Sequence, residues 1–188
     1  MNTLFISTYN ELVNISLIMN DNIKTICEES KNGHSSILVP TIKKILDENN
    51  LDIHDLNEIV VVNGPGSFTG VRLGVTVSKT LAYTLNIPIK TITSIEAISL
   101  SYKEENKIII IPDSKGKYLG KFIDNKLTDL LYLKDADYLK YIENNELPIY
   151  SDTDLNIASI IKYVKDINST NAHSVKPIYV KRIDVLND

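Results

Sequence analysis

Cysteine is almost absent from this chain of 188 residues, since Cys27 is its only one. No disulfide can therefore form within the chain, which excludes a secreted scaffold held together by disulfides. Tryptophan is absent, and no apolar run approaches the ~20 residues that a membrane-spanning helix needs. The N-terminal residues lack the basic and apolar regions of a secretory signal. These absences predict a cytoplasmic protein without a membrane segment.

The chain also lacks an excess of positive charge. It has 20 Lys and Arg residues against 24 Asp and Glu residues, which gives a net charge of −4. Binding to a nucleic-acid backbone requires clustered cations that displace counterions, and here Lys and Arg are scattered. We therefore expect the chain alone to bind RNA weakly, and any RNA contact to be shared with another protein.

The pattern of apolar residues predicts an α/β fold with two halves. In the first half it predicts strands at 4–6, 13–18 and 24–27, with a turn at 20–22. A helix follows that is capped by Ser35 and Ser36 and extends through residue 49. The pattern then predicts a strand at 59–62 buried on both faces, a helix at about 71–85 and a strand at 90–93. This order is typical of a ribonuclease-H-like or actin-like half, a mixed sheet covered by helices.

The pattern restarts after residue 98. It predicts strands at 108–112, 118–122 and 127–133, helices at 136–143 and 155–165, and an extended tail at 177–180. We therefore expect two domains: residues 1–98 as a first actin-like half, and residues 99–188 as a shorter, diverged second half.

A glycine-rich loop joins the predicted strand at 59–62 to the following helix. Its notable residues are Gly64, Pro65, Gly66, Ser67, Phe68, Thr69, Gly70 and Arg72. Such loops can receive phosphate through backbone N–H groups, or they can be tight turns that let a helix pack closely on a sheet. The loop lacks the Lys-Ser/Thr of a P-loop, and Thr69 replaces the third glycine of a dinucleotide fingerprint. Sequence therefore excludes both standard nucleotide motifs and leaves the packing alternative open.

Residues 63–82, with 86–88 and 94–97, resemble the TsaB (YeaZ) family. Residues 112–118 are similar to that family's Asp-Ala-Arg-x-x-x-x-Tyr segment, and residues 177–182 to its C-terminal Pro-x-Tyr-Leu-Arg ending. The resemblance implies an actin-like fold and a non-catalytic subunit, without a cofactor. That subunit would be required for transfer of a threonylcarbamoyl group to N6 of adenosine 37 in transfer RNAs that read ANN codons.

The same resemblance implies the partners. They are a TsaD-like catalytic subunit in a heterodimer, a TsaE-like ATPase in the complex, and transfer RNA bound through the complex. A homodimer is implied when the chain is alone. The alternative function is an independent hydrolase of the glycoprotease type, or an ATPase of the actin-like superfamily.

Several residues are of the types that serve as catalytic groups or metal ligands. In the family the first strand ends in Ile-Asp-Thr, but Ser7 replaces the aspartate here, so nucleotide hydrolysis is not expected. A metal site is not expected either, because Leu38 stands four residues after His34, and neither His54 nor His173 has a ligand at a suitable spacing. The favoured interpretations are a helix-entry residue for His34, a weak nucleophile candidate for Ser67, a solvated strand-end carboxylate for Asp113, and a half-buried small residue for Cys27.

Small residues recur every four positions along the second predicted helix, at Gly70, Gly74, Ser78 and Ala82. They form one slanted ridge, which can pack either on a partner's helix or on the chain's own sheet. Spacing alone does not decide between these alternatives. The resemblance favours a partner interface on the first-half helices, and on the earlier helix the predicted interface residues are Ile37, Thr41 and Ile45.

Overall fold

The computed structural model describes residues 1–20, 22–30, 33–151 and 154–180. Over these ranges the chain forms two mixed β-sheets with helices packed on them, which confirms the predicted α/β class. The strands are β1 (Asn2–Ser7), β2 (Leu12–Met19), β3 (Asn22–Glu29), β4 (Glu58–Val62), β5 (Ile89–Ile92), β6 (Lys107–Asp113), β7 (Gly116–Ile123), β8 (Lys126–Lys134) and β9 (Ile149–Tyr150). The helices are α1 (His34–Glu48), α2 (Phe68–Leu85), α3 (Ser94–Ser99), α4 (Asp135–Glu143) and α5 (Ile157–Val164).

The first sheet has the strand order β3-β2-β1-β4-β5. Strands β1, β2 and β3 pair antiparallel as predicted, and β4 lies parallel to both β1 and β5. All five residues of β4 are buried, as expected for a parallel strand whose sheet is covered on both faces. Of the turn predicted at 20–22, Asp21 lies outside the described residues.

The two long helices differ from the prediction at their N-termini. Helix α1 begins at His34 with Gly33 as its N-cap, so the predicted caps Ser35 and Ser36 are wrong. The hydroxyl of Ser36 instead donates a hydrogen bond to the Gly33 carbonyl. Helix α2 begins at Phe68, three residues earlier than predicted, because the Ser67 side chain accepts a hydrogen bond from the Gly70 N–H.

Two short elements were not predicted, α3 and β9. Helix α3 carries a capping box in which Thr93 and Glu96 each accept from the other's backbone N–H. The spacing of these two residues, Thr-x-x-Glu, was a signal that could have located this helix. Strand β9 has only two residues, too few to show a periodicity.

The second sheet has the order β8-β7-β6-β9, and its three longer strands confirm the predicted ones. Lys107, at the start of β6, is 2% exposed. Its ammonium group donates to the backbone carbonyls of Tyr102 and Glu104 and to the side chain of Asn125. Burial lowers the pKa of Lys107, and the nearby Glu104 carboxylate acts in the opposite direction. Lys107 therefore joins the segment before β6 to the β7–β8 turn.

The main hydrophobic core includes residues from both sheets, among them Phe5, Val60, Ile109 and Phe122. A smaller cluster of Ile108, Ile110 and Leu119 lies on the other side of the second sheet, beneath α4. The predicted boundary between residues 98 and 99 falls at the end of α3, and as a domain boundary it stays a prediction.

Candidate functional site

The glycine-rich loop after β4 is packed against the turn that joins β1 to β2. The Ser67 N–H donates to the Tyr9 carbonyl over 2.6 Å, and the Thr8 hydroxyl donates to the Gly70 carbonyl over 2.7 Å. A Cβ atom added at Gly66 would overlap with the carbonyl oxygen of Tyr9, and one at Gly70 would overlap with that of Thr8. The glycines are therefore needed for close backbone approach, which supports the packing interpretation of this loop.

The candidate catalytic side chains take structural roles. His34 is buried at the start of α1, where its Nε2 lies 2.6 Å from the Asn10 carbonyl, which confirms the helix-entry interpretation. Ser67 is the N-cap of α2. Asp113 ends β6 as predicted, but it is half-buried and accepts a hydrogen bond from the Tyr132 hydroxyl over 2.8 Å, so the solvated interpretation was wrong.

The remaining candidates lie apart from one another. His54 and His173 belong to two separate 3-10 turns, Ile53–Asp55 and Ala172–Ser174. Ser7, which replaces the family's aspartate, is buried at the end of β1. Within the described part of the chain, no three His, Cys, Asp or Glu side chains lie close enough to hold a metal ion.

Cys27 is exposed on β3, so the prediction of a half-buried residue was wrong. It lies on the edge strand of the first sheet, where one side of the strand has no neighbour among the described residues. Neighbouring atoms remove some water from the sulfur even though the residue is exposed; this partial desolvation raises the pKa of the Cys27 thiol, and the Asp154 carboxylate raises it further. Both effects act against formation of the thiolate, which is the nucleophilic form of cysteine.

The ridge of small residues on α2 faces the chain itself, which corrects the predicted partner interface. Gly70, Gly74, Ser78 and Ala82 are all buried. A Cβ added at Gly74 would overlap with the Thr8 hydroxyl oxygen. On α1, Thr41 and Ile45 are buried and Ile37 is half-buried, and as contacts of a partner these three residues stay a prediction. The ridge therefore lets α2 approach the chain's own sheet, the second of the two alternatives that spacing left open.

An apolar groove of about 320 Å³ lies between α1 and α2. It is lined by Val39, Ile42, Lys43, Leu46, Asp47, Leu51, Asp52, Ile53, Val77 and Leu81. Val39 is 57% exposed, and an ion pair of 3.1 Å between Lys43 and Asp47 lies at the rim. Sequence reasoning missed this groove, although the wide apolar stripe of α1, which continues from Ile42 and Leu46 to Val39, was a signal for it.

Residues 172–180, termed here the C-terminal strap, run along the opposite flank of α2. The Lys79 ammonium donates to the carbonyls of His173 and Val175, and Val175 is buried. The Ile178 N–H donates to the Asn63 carbonyl over 2.8 Å. The tail predicted at 177–180 therefore packs on the glycine-rich loop, although it forms no regular strand. The last two residues of the family-like C-terminal ending, 181 and 182, lie outside the described residues.

No helix in the described ranges is both long and apolar enough to cross a bilayer.

The two covered sheets place this chain in the class of actin-like, ribonuclease-H-like α/β proteins. A solved Pseudomonas aeruginosa structure described by its similarity to the peptidase YeaZ superposes with a TM-score of 0.79. It has 18% sequence identity, and the match covers 96% of this chain and 99% of that one. At that identity the likeness establishes the fold alone.

Sequence comparison identifies the family. The family model "TsaD: tRNA N6-adenosine threonylcarbamoyltransferase" matches residues 24–118. The "tRNA threonylcarbamoyladenosine biosynthesis protein TsaB" of Bacillus subtilis is 31% identical over 159 residues, which are 79% of this chain and 69% of that protein. The TsaB protein of Buchnera aphidicola from Acyrthosiphon pisum is 28% identical over 117 residues, which are 60% of this chain and 53% of that protein. The chain belongs to the TsaB (YeaZ) family.

Proposed function

We propose that this chain takes part in the biosynthesis of threonylcarbamoyladenosine in transfer RNA as a non-catalytic subunit. Its relatives are named for that pathway, which supports the role. Its specific task is to bind a TsaD-like catalytic subunit and so to allow transfer of the threonylcarbamoyl group to adenosine 37. The observation that carries this proposal is the apolar groove between α1 and α2, on a chain related to TsaB.

The groove has the composition of a protein-binding surface. Its floor is formed by aliphatic side chains such as Ile42, Leu46 and Leu81, and its rim carries Lys43 and Asp47. Interfaces commonly combine an apolar centre with a polar rim in this way. Two packed helices present ridges and grooves into which another helix can fit, so we assign the groove to a helix of the catalytic subunit. In its absence, a second copy of the chain would occupy the same surface.

The other partners follow from the same assignment. A TsaE-like ATPase would join the complex, and transfer RNA would bind through the complex, because the net charge of −4 disfavours strong RNA binding by this chain alone. The cytoplasmic location expected from the sequence belongs to the same proposal. The alternative of an independent hydrolase or ATPase lacks a specific observation in its favour, since Ser67 serves as a helix cap and Ser7 replaces the family's acidic residue.

The groove can be tested by placing a charge in it. Val39→Asp introduces a carboxylate that would have to be desolvated when a partner's helix covers it. We expect this variant to bind the TsaD-like subunit about tenfold or more weakly, and to lower transfer RNA modification in a reconstituted mixture. Isothermal titration calorimetry measures the affinity, and the melting temperature should stay unchanged because Val39 is 57% exposed.

Leu139→Asp is the matched control, since Leu139 is 55% exposed on α4, in the second half of the chain. Equal affinities for the wild type, Val39→Asp and Leu139→Asp would remove the groove from the interface. Steady ATP turnover or transfer RNA modification by the isolated chain would show that the non-catalytic assignment is wrong.

A further inference from the structure

An exposed arginine is held between two aromatic rings at the start of α2. The Arg72 guanidinium carbon lies 3.7 Å from the centroid of the Phe68 ring and 5.4 Å from that of the Tyr179 ring. Its Nε donates to the Tyr179 hydroxyl over 2.6 Å. Phe68 and Arg72 are one helical turn apart, and Tyr179 comes from the C-terminal strap. Ring contacts and one hydrogen bond thus fix the orientation of the guanidinium group.

This Phe68–Arg72–Tyr179 cluster is open to solvent. Phe68 is 50% exposed and Tyr179 is 53% exposed. Among residues 1–20, 22–30, 33–151 and 154–180, no carboxylate forms an ion pair with Arg72, whereas Lys43, Lys44, Lys90 and Lys117 each have one. No acidic side chain in the described part of the chain therefore takes up the N–H donors on the two terminal nitrogens of Arg72.

We infer that the Phe68–Arg72–Tyr179 cluster binds an aspartate or glutamate side chain of the TsaD-like subunit. This inference rests on the proposed function and adds a second, polar contact to the apolar groove. A guanidinium fork matches the geometry of a carboxylate, and such charge-assisted hydrogen bonds are stronger than neutral ones. Because the rings already hold Arg72 in place, little side-chain entropy is lost when the carboxylate binds.

The position of the Phe68–Arg72–Tyr179 cluster on α2 allows one partner to contact both the cluster and the groove. Arg72 and Val77 are five residues apart on α2, which is a rise of about 8 Å along the helix axis. Val77 lines the groove on one flank of α2, and Tyr179 lies on the other. Five residues also turn the helix by about 140°, so the helix seated in the groove contacts Val77, and a neighbouring segment of the same partner that crosses the exposed outer face of α2 contacts Arg72. Tyr and Arg are also among the residue types enriched at the positions that carry most of the binding energy in interfaces.

A phosphate group of RNA is the competing ligand for an arginine. Strong RNA binding requires several cations acting together, and the nearby Lys79 ammonium is engaged by two backbone carbonyls of the strap. Arg72 therefore acts as one exposed cation on a chain of net charge −4, and such a cation favours a single carboxylate over RNA phosphate as its ligand.

The test compares three variants of the full chain with the wild type in binding to the purified TsaD-like subunit. Arg72→Gln should weaken binding about tenfold or more, and should reduce the dependence of affinity on salt. Arg72→Lys should bind only slightly more tightly than Arg72→Gln, since an ammonium group lacks the planar fork of the guanidinium. Tyr179→Phe keeps the ring but loses the hydroxyl that orients Nε, so a smaller loss of a few-fold is expected. All three should melt within about 4 °C of the wild type, because the contacts of this exposed cluster contribute little to folding.

The groove variant Val39→Asp separates failure of this inference from failure of the proposed function. If Val39→Asp loses binding while Arg72→Gln stays within about twofold of wild type, the cluster is outside the interface and only this inference fails. If the wild type does not bind the TsaD-like subunit, both fail. If Arg72→Gln reduces binding of transfer RNA to the chain alone and leaves the protein affinity unchanged, the ligand is a phosphate and the inference is overturned.

Discussion

Helices α2 and α4 each cover one face of a sheet, but they pack on it in opposite ways. Six residues of α2 are buried, and small side chains let the helix lie close to the first sheet. No residue of α4 is buried, and only Tyr138 and Tyr141 reach the small cluster beneath it. The comparison shows that α2 combines a tightly packed inner face with an accessible outer one. Helix α4 contributes less to the core, and changes to it should have smaller effects.

The largest effect is expected for Gly74→Leu on the inner face of α2. The new side chain would overlap with Thr8, and overpacking typically costs about 1–3 kcal/mol, with the upper end expected here because the added Cβ alone already overlaps with the Thr8 hydroxyl. The variant should melt at a clearly lower temperature or become insoluble, with any loss of partner binding secondary. Thr76→Leu, an exposed position two residues further on, is the control and should melt normally. Normal melting of Gly74→Leu would contradict the close packing described for α2.

An intermediate effect is expected for Lys107→Met in the second sheet. Methionine keeps the apolar stem but removes the ammonium group that satisfies two backbone carbonyls and the Asn125 side chain. Leaving such groups without partners should lower the free energy of unfolding by about 2 kcal/mol, measured by urea denaturation. Lys126→Met, at an exposed position of β8, should change it little. Equal midpoints for the two variants would mean that Lys107 has no special role.

The smallest effect is expected for Lys117→Ala beside α4. The Lys117 ammonium lies 2.9 Å from Asp135 and 4.6 Å from the centroid of the Tyr138 ring. Because Asp135 is largely exposed, the ion pair and the ring contact together should contribute only about 0.5 to 1 kcal/mol. A double-mutant cycle with Asp135→Ala isolates the ion pair. A coupling of about 2 kcal/mol or more would show that α4 is fixed more firmly than its exposure indicates.

Most strands and helices could be predicted because their apolar periodicity is strong. The buried run of β4 and the short β-prone runs of β1 to β3 depend on local composition and burial, both of which are visible in the sequence. Helix starts were less predictable. The cap of α1 is Gly33, which forms no side-chain hydrogen bond, so a rule that looks for serine selected the wrong residues.

The candidate site was harder to predict. The spacing of residues along a helix shows which side chains share a face, but it does not show what that face packs against. Gly74 fits a helix–helix contact and a helix–sheet contact equally well, and only the position of Thr8 decides between them. The groove and the Phe68–Arg72–Tyr179 cluster each combine residues from separate segments. Arg72 and Tyr179 are 107 positions apart in the sequence. No local pattern reports a contact of that separation.

The C-terminal strap also constrains the order in which the molecule folds. The Asn63 amide donates to the Lys176 carbonyl, 113 residues later in the chain. During synthesis, the strands and helices of the first sheet emerge from the ribosome long before residue 176, and segments made early can fold before later ones exist. A contact with such a large sequence separation also carries a high loop-closure entropy. The strap should therefore be among the last parts to form, and until then the flank of α2 that it covers stays exposed to chaperones and to early partners.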